Sequence, residues 1–400
     1  MSERPPVTDW ATDFDHFDPE WTNNPYAIWD ELRQKCPVAT SQRFEDGAYL
    51  PTSYADIYAI AYDTENFSSR RAVMREKKLP LHLISAPPIT SDPPEHTPAR
   101  RLLLPPFSQG AVELMEPSIR ESCRALLDEL GERDQFDASM EYARHIPSRV
   151  MAQMFGLDPS LSDTFHDWIY RILIEGIHNP VATVTAIGEQ NVVFKELIAL
   201  RTEDPGDDLV SYLLKSEYNG EPMTESHIIG TLRLLLIAGI DTTWSAIGSS
   251  IWHLATHPED RRRLVAEPEL MPTAIEEFLR AYSPSTHMRE VVNETTISGF
   301  TYKPLSQVLL SYPAANRDPA KFENPDTVIM DRADNQHAAF GLGRHRCLGA
   351  PLARLEIRIA LEEWLKLFPD FEETPGQTTT WSAGTVRGPR TMPISILKRA

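Results

Sequence analysis

The chain has 400 residues, 41% of them hydrophobic, and a formal net charge of −19 at pH 7. So acidic a chain is poorly matched to the phosphate backbone of nucleic acid, which argues against nucleic-acid binding. The length would allow two or three domains. Because no linker, low-complexity tract or internal repeat divides the chain, we expect one large domain over residues 1–400.

The N-terminal region and the cysteines indicate the cellular compartment. The first twenty residues hold no apolar run and carry acids that include Asp9, Asp13, Asp15, Asp18 and Glu20. This argues against a signal peptide or membrane anchor, and the longest strongly apolar run, 234–240, is too short to span a bilayer. Cys36, Cys123 and Cys347 show no C-x-x-C spacing, which is typical of a reducing compartment. We therefore expect a cytoplasmic protein that does not bind a membrane.

In chain order, helical patterns predominate and the β portion is small. Helices are predicted over 26–35, 53–62, 112–130, 146–155, 162–176 and 181–201, with a strand at 48–50. Residues 70–94 read as a long irregular loop, a feature that is often functional. Thr224 caps a helix that runs to about Thr256. A helix starting at Pro272, short strands over 289–311, a helix over 348–368 and a final hairpin over 385–397 complete the pattern.

The most informative segment is Phe340-Gly-Leu-Gly-Arg-His-Arg-Cys-Leu-Gly349. It places Cys347 after a glycine-rich loop and directly before a helix, where backbone N–H groups and the helix N-terminus lower a thiol pKa. The basic residues 344–346 act in the same direction. A single stabilised thiolate suits a metal that takes its other ligands from a macrocycle. The alternative is a glycine-rich turn around a buried cysteine.

This F-G-x-G-x-H-x-C-x-G pattern resembles the cysteine-ligand loop of the cytochromes P-450, the haem-thiolate monooxygenases. The resemblance extends from His96 to Gly349 with order and spacing intact. It implies a mainly α fold with a small β portion, formed as one large domain. Haem b (iron protoporphyrin IX) would lie between the long central helix and the cysteine loop with its helix. Cys347 would be the sole protein ligand to iron.

A second motif, Ala238-Gly-Ile-Asp-Thr-Thr243, lies in the middle of the long helix. Burying the Asp241–Thr242 pair is costly without a purpose, and the Thr242 hydroxyl can bond the carbonyl of Ala238. The motif resembles the family's oxygen-binding groove, in which Thr242 would donate to dioxygen and Asp241 would link the site to solvent protons. The alternative is a packing seam of small residues with Asp241 held in a salt bridge.

Further residues match the family's haem surroundings. His96, Arg100, Arg289 (at a strand start) and His345 resemble the four donors to the haem propionates, since a buried carboxylate needs charge-assisted bonds. The resemblance also places these residues around the haem: Ala238, Gly239, Phe340, Gly341 and Gly349. Glu277 and Arg280 match the E-x-x-R motif and Arg332 its downstream partner. Those three would support the cysteine loop structurally.

The resemblance implies insertion of one atom of dioxygen into a small to medium apolar or aromatic substrate, by hydroxylation or O- or N-dealkylation. Electrons from NAD(P)H would arrive through a ferredoxin or flavodoxin-type donor and its reductase, separate or fused. A non-catalytic haem-thiolate sensor and a peroxide-driven peroxygenase are the alternatives. The resemblance assigns the following residues to the substrate pocket: Leu81, Ile84, Trp168, Ile172, Leu234, Ser285 and Val386.

Four arginines near the cysteine loop form a basic cluster on an acidic protein: Arg344, Arg346, Arg354 and Arg358. One interpretation is a docking surface for an acidic electron donor. The other is a solvated face that partly compensates the haem or the thiolate.

Overall fold

The computed structural model describes residues 4–400 and is predominantly helical. The helices are α1 (Pro19–Asn23), α2 (Pro25–Lys35), α3 (Tyr54–Tyr62), α4 (His96–Leu103), α5 (Gln109–Glu113), α6 (Glu116–Leu130), α7 (His145–Phe155), α8 (Ser162–Leu173), α9 (Pro180–Glu203), α10 (Leu209–Leu214), α11 (Glu225–Thr256), α12 (Pro258–Ala266), α13 (Met271–Ala281), α14 (Tyr312–Ala315) and α15 (Ala350–Leu367). The predicted loop over 70–94 lies between β3 and α4 and contains no helix or strand.

The strands form one larger sheet and several small ones. They are β1 (Val38–Ser41), β2 (Ala48–Pro51), β3 (Phe67–Ser68), β4 (Gln135–Asp137), β5 (Glu217–Tyr218), β6 (Glu221–Pro222), β7 (Thr286–Val291), β8 (Thr295–Ile297), β9 (Phe300–Tyr302), β10 (Gln307–Ser311), β11 (Asp370–Glu373), β12 (Thr380–Trp381), β13 (Pro389–Thr391) and β14 (Pro393–Lys398). The larger sheet has the order β1-β2-β10-β7-β3, in which only the β10–β2 pairing is parallel.

Helix α11 is the central element. Its 32 residues begin after Thr224, whose side chain accepts a hydrogen bond from the His227 N–H, and they span ~48 Å. By length and composition alone α11 could cross a bilayer, but 72% of its most apolar window is buried inside the protein. It packs against α7, α9 and α15 in the largest hydrophobic core. An apolar helix buried on all sides is a core helix.

Three predicted elements differ from the structure. The helix predicted over 112–130 is two helices, because Pro117 lies in the first turn of α6, where proline favours a helix start, and the intervening Leu114 is 83% exposed. The helix predicted over 162–176 ends at Leu173 and continues as a 3₁₀ turn.

The predicted hairpin over 385–397 is wrong. β13 pairs with β12, and β14 pairs with β11 and β4. Only Met392 separates β13 from β14, so no turn is available to fold one strand onto the other.

Candidate active site

The cysteine loop is fixed against neighbouring elements. The Cys347 N–H donates to the carbonyl of Phe340 over 2.7 Å, and the Gly341 N–H donates to the carbonyl of Ala338 over 2.8 Å. Gly343 has φ +68°, and a Cβ added there would lie 2.4 Å from the carbonyl oxygen of Ala61 in α3. Only glycine satisfies both constraints, so the loop lies directly on α3.

Cys347 is exposed to the cavity, and its surroundings act on the thiol pKa in two directions. Desolvation by the surrounding protein raises the pKa of the thiol, while the N–H of Gly349 and the charges of Arg100, Arg354 and Arg346 lower it. The donors that the sequence predicts around the sulfur are therefore present. A metal ion at the sulfur would favour the thiolate, since a coordinating thiol is deprotonated.

Cys347 lines a cavity with about 1170 Å³ of empty space, here called the cysteine cavity. Ala238, Gly239 and Thr242 of α11 form another part of its wall. A second cavity of about 920 Å³, here called the distal cavity, also reaches Ala238 and Thr242. The small residues of α11 therefore lie where the two spaces meet.

In the middle of α11, the Thr242 side chain forms the hydrogen bond to the backbone that the sequence analysis expects. The Thr242 hydroxyl donates to the carbonyl of Ala238 over 2.7 Å, one turn earlier. A Cβ added at Gly239 would lie 2.8 Å from the sulfur of Met151. Because Gly239 has no side chain, Met151 can pack against α11 at this position. Met151 also lines the cysteine cavity.

Asp241 is 3% exposed and is held in a salt bridge. Its Oδ1 accepts from Arg390 Nη2 over 2.7 Å, and Arg390 also donates to Ser245 Oγ over 3.2 Å. Burial raises the pKa of Asp241 and Arg390 opposes that rise. Sequence reasoning missed Arg390, which lies 149 residues further along the chain and carries no local signal. The salt bridge is the contact expected by the alternative interpretation of the motif.

A set of buried donors without acceptors surrounds His345. The His96 and His345 rings lie 4.4 Å apart, and both nitrogens of His96 and Nε2 of His345 have no described partner. Nη2 of Arg289, from the middle of β7 and not from its start, is also unpaired. Arg100 lines the cysteine cavity and donates to the carbonyl of Arg346 over 2.6 Å. Burial, aided by neighbouring arginines, lowers the pKa of His96 to about 4 and that of His345 to about 2.

Glu277, Arg280 and Arg332 form a buried network. Glu277 is fully buried, accepts two bonds of 2.8 Å from Arg280 and accepts one of 3.0 Å from Arg332. Arg280 also donates to the carbonyls of Asn316 and Pro325. The network thus ties α13 to the irregular segment that leads to the cysteine loop.

Two of the seven residues assigned to the substrate pocket lie elsewhere. Leu81 is 39% exposed, and the Trp168 indole donates to Glu189 of α9; neither residue lines the distal cavity. Trp168 and Ile172, which does line the distal cavity, are one turn apart on α8. Helical spacing alone therefore could not show that only Ile172 reaches the cavity. The other five line the distal cavity: Ile84, Ile172, Leu234, Ser285 and Val386.

Two of the four arginines in the basic cluster are paired with carboxylates. Arg354 binds Glu276 of α13, and Arg358 binds Glu116 of α6 and Glu362 of its own helix. These two arginines therefore fit the interpretation of a compensated face better than that of a docking surface. Arg344 and Arg346 are exposed, and neither forms a salt bridge with a described residue.

Comparison with known proteins decides the family. The family model described as Cytochrome P450 matches residues 190–386. The polyketide biosynthesis cytochrome P450 PksS of Bacillus subtilis is 31% identical over 95% of this chain and 97% of its own. The chain belongs to the cytochrome P450 family. Mycinamicin IV hydroxylase/epoxidase of Micromonospora griseorubida is 33% identical over 92% of this P450 and 94% of its own length.

The solved structures agree with this assignment. The PksS structure covers 96% of this P450 and 100% of its own chain with a TM-score of 0.88 and 30% identity. CYP109E1 from Bacillus megaterium, in complex with testosterone, covers 94% of this P450 and 98% of its own chain with a TM-score of 0.87 and 29% identity. The expected P450 fold, mainly α with a small β portion, is confirmed, and so is membership of this oxidoreductase family; the relatives compared are bacterial.

A P450 carries haem, and the residues present fit that group. Cys347 offers one sulfur ligand at the cavity wall. The unpaired donors of His96, His345 and Arg289 would hold the two carboxylates of the porphyrin, together with Arg100. When bound, the haem would supply the chemistry that activates dioxygen.

Proposed function

We propose that this P450 is a monooxygenase that inserts one atom of dioxygen into a small to medium molecule of mainly apolar or aromatic character. The reaction would be a hydroxylation or an oxidative O- or N-dealkylation. One observation carries the proposal: Cys347 and Thr242, from different elements, line the same cavity, and this cavity adjoins an apolar one.

The roles of the side chains follow from their positions. Cys347 is the sole protein ligand to the metal. Thr242 lines both cavities, so its hydroxyl can turn from the Ala238 carbonyl to donate to dioxygen. When its carboxylate leaves Arg390, Asp241 takes up protons from solvent and passes them to Thr242. Glu277 holds the segment that leads to the cysteine loop.

The proposal includes a protein electron donor. A ferredoxin or flavodoxin-type protein, reduced by an NAD(P)H-dependent reductase, would bind in the cytoplasm at the exposed Arg344 and Arg346. Reversing both to Glu should slow reduction of the haem and flatten its salt dependence, since complementary charge acts mainly on the association rate. Reversal of Arg262, on α12, changes the net charge by the same amount as either single reversal at Arg344 or Arg346 and is the control for those single variants.

The test compares oxidant sources on the haem-loaded protein. Labelled dioxygen should enter product only with reduced nicotinamide, reductase and ferredoxin all present, and the Cys347→Ser variant should form none. Product formed equally well from hydrogen peroxide alone would instead identify a peroxygenase. Substrate binding without turnover under any of these conditions would favour a sensor.

A further inference from the structure

Six arginines are almost completely buried in the described chain: Arg75, Arg233, Arg261, Arg280, Arg289 and Arg317. Three of them pair with a carboxylate: Arg261 with Asp370, Arg280 with Glu277, and Arg317 with Asp326. Arg289 is one of the donors proposed above to hold the haem carboxylates. Arg75 and Arg233 remain, and neither has a carboxylate partner among the described residues. A buried cation without a counter-ion is costly.

Arg75 is accounted for by its own surroundings. Its guanidinium donates to the carbonyls of Ile172 and Gly176 over 2.9 and 2.6 Å and to the Thr183 hydroxyl over 3.1 Å. The Ile172 carbonyl lies in the last turn of α8, where the helix dipole favours a cation, and the Gly176 carbonyl lies in the 3₁₀ turn that follows. Arg75 therefore fixes the end of α8 and contributes positive potential nearby.

Arg233 is less completely satisfied. It is 7% exposed, and it donates to the carbonyl of Ser85 over 2.8 Å and to the side-chain oxygen of Asn191 over 2.6 Å. Both acceptors are neutral, and Nε is buried without a described partner. Burial lowers the pKa of Arg233, with no opposing carboxylate. An anion next to this guanidinium would compensate its charge.

Both arginines line the distal cavity, and none of the described residues lining that cavity is acidic. This is notable in a protein of net charge −19. The remaining wall is largely aliphatic, including Ile84, Ile172 and Ile187. Arg233 precedes Thr242 by nine residues on α11, an axial distance of about 13 Å.

We propose that the substrate is an apolar carboxylate whose acid group pairs with Arg233 and whose oxidised carbon lies several bonds away, towards Thr242. The inference rests on the proposed function, since it takes the distal cavity as the substrate side of the haem. It narrows the expected apolar or aromatic class to molecules that carry an anionic end.

The test uses imidazole as an anchor, because imidazole coordinates haem iron and shifts its Soret band. A series of imidazol-1-yl alkanoic acids of increasing length is compared with the matching amides on the haem-loaded protein. At the best length the acid should bind about 10- to 100-fold more tightly than the amide, the range for hydrogen bonds to a charged group. In Arg233→Gln the ratio of acid affinity to amide affinity should fall to near one, while the affinity for the amide stays unchanged. Arg233→Lys should keep part of the preference for the acid.

Arg171→Gln is the matched control. Arg171 lies on α8 and pairs with Asp167 and Glu189 outside the distal cavity, so this variant should keep the acid preference of the parent. Amides that bind as tightly as acids at every length would overturn the inference, and so would an unchanged ratio in Arg233→Gln. A protein that shows no Soret shift with imidazole itself would contradict the proposed function instead.

Discussion

Changing Arg390 to Gln tests how much the Asp241–Arg390 salt bridge contributes to the stability of the protein. Asp241 has 5% of its side chain exposed and Arg390 has 22%, so the carboxylate has little water to replace its partner. The guanidinium also lies 4.2 Å from the Trp244 ring centre. The substitution leaves a buried carboxylate with only a neutral amide nearby, and it raises the pKa of Asp241 further.

The size of the effect depends on pH. A hydrogen bond to a charged group contributes about 1.5–3 kcal/mol. A carboxyl whose folded pKa is raised contributes stability that is present below its unfolded pKa and is lost as pH rises through the folded pKa. Removing Arg390 raises the folded pKa of Asp241 further, so the loss of stability continues to higher pH. The stability difference between parent and variant should therefore grow by about 1.5–3 kcal/mol between acidic and mildly alkaline pH.

Denaturant unfolding of the haem-loaded protein between about pH 5.5 and 8 measures this difference. The double variant Asp241→Asn/Arg390→Gln is the control, because it has no carboxyl to titrate and should lose the pH-dependent part. A difference between parent and Arg390→Gln that stays constant across this range would refute the reasoning.

Three other substitutions give distinct readouts. Cys347→Ser should abolish the Soret position that thiolate ligation gives to the reduced carbon monoxide complex, while Cys36→Ser should retain it; a retained position in Cys347→Ser would disprove the ligand assignment. Thr242→Ala should keep haem and substrate binding but divert reducing equivalents to hydrogen peroxide, which the ratio of product to nicotinamide oxidised would reveal. Glu277→Gln leaves two arginine charges buried without a counter-ion and should lower the free energy of unfolding by about 3–5 kcal/mol, as denaturant titration would show.

The features that could be predicted from the sequence are those encoded locally. The cysteine loop needs glycine at fixed positions, and Gly343 shows why, with its positive φ and the close approach of Ala61. The limits of α11 also follow from nearby residues, since Thr224 caps its start and Pro258 follows its end. In each case the determinant lies within a few residues of its effect.

The features that could not be predicted depend on residues far apart in the chain. Arg390 reaches Asp241 across 149 residues, and Arg358 is neutralised by Glu116 across 242. The sequence shows that these residues are charged, but it does not show which of them meet. For the same reason the sequence did not indicate a special role for Arg233. It shows a charged residue in an apolar helix, but it does not show that this residue is buried without a carboxylate partner.

We expect the arginines to carry most of the positive charge at the haem edge. In the protein alone, burial and neighbouring cations lower the pKa of His96 to about 4 and that of His345 to about 2, and pairing with the haem carboxylates would raise both pKa values again. Arg100 and Arg289 are charged in either case, so they would compensate the two carboxylates without first taking up a proton. Replacing Arg289 by Gln should therefore weaken haem retention more than replacing His96 by Gln, because only the arginine change removes a permanent charge. Haem transfer to apomyoglobin would measure both rates, and equal rates would contradict this division of roles.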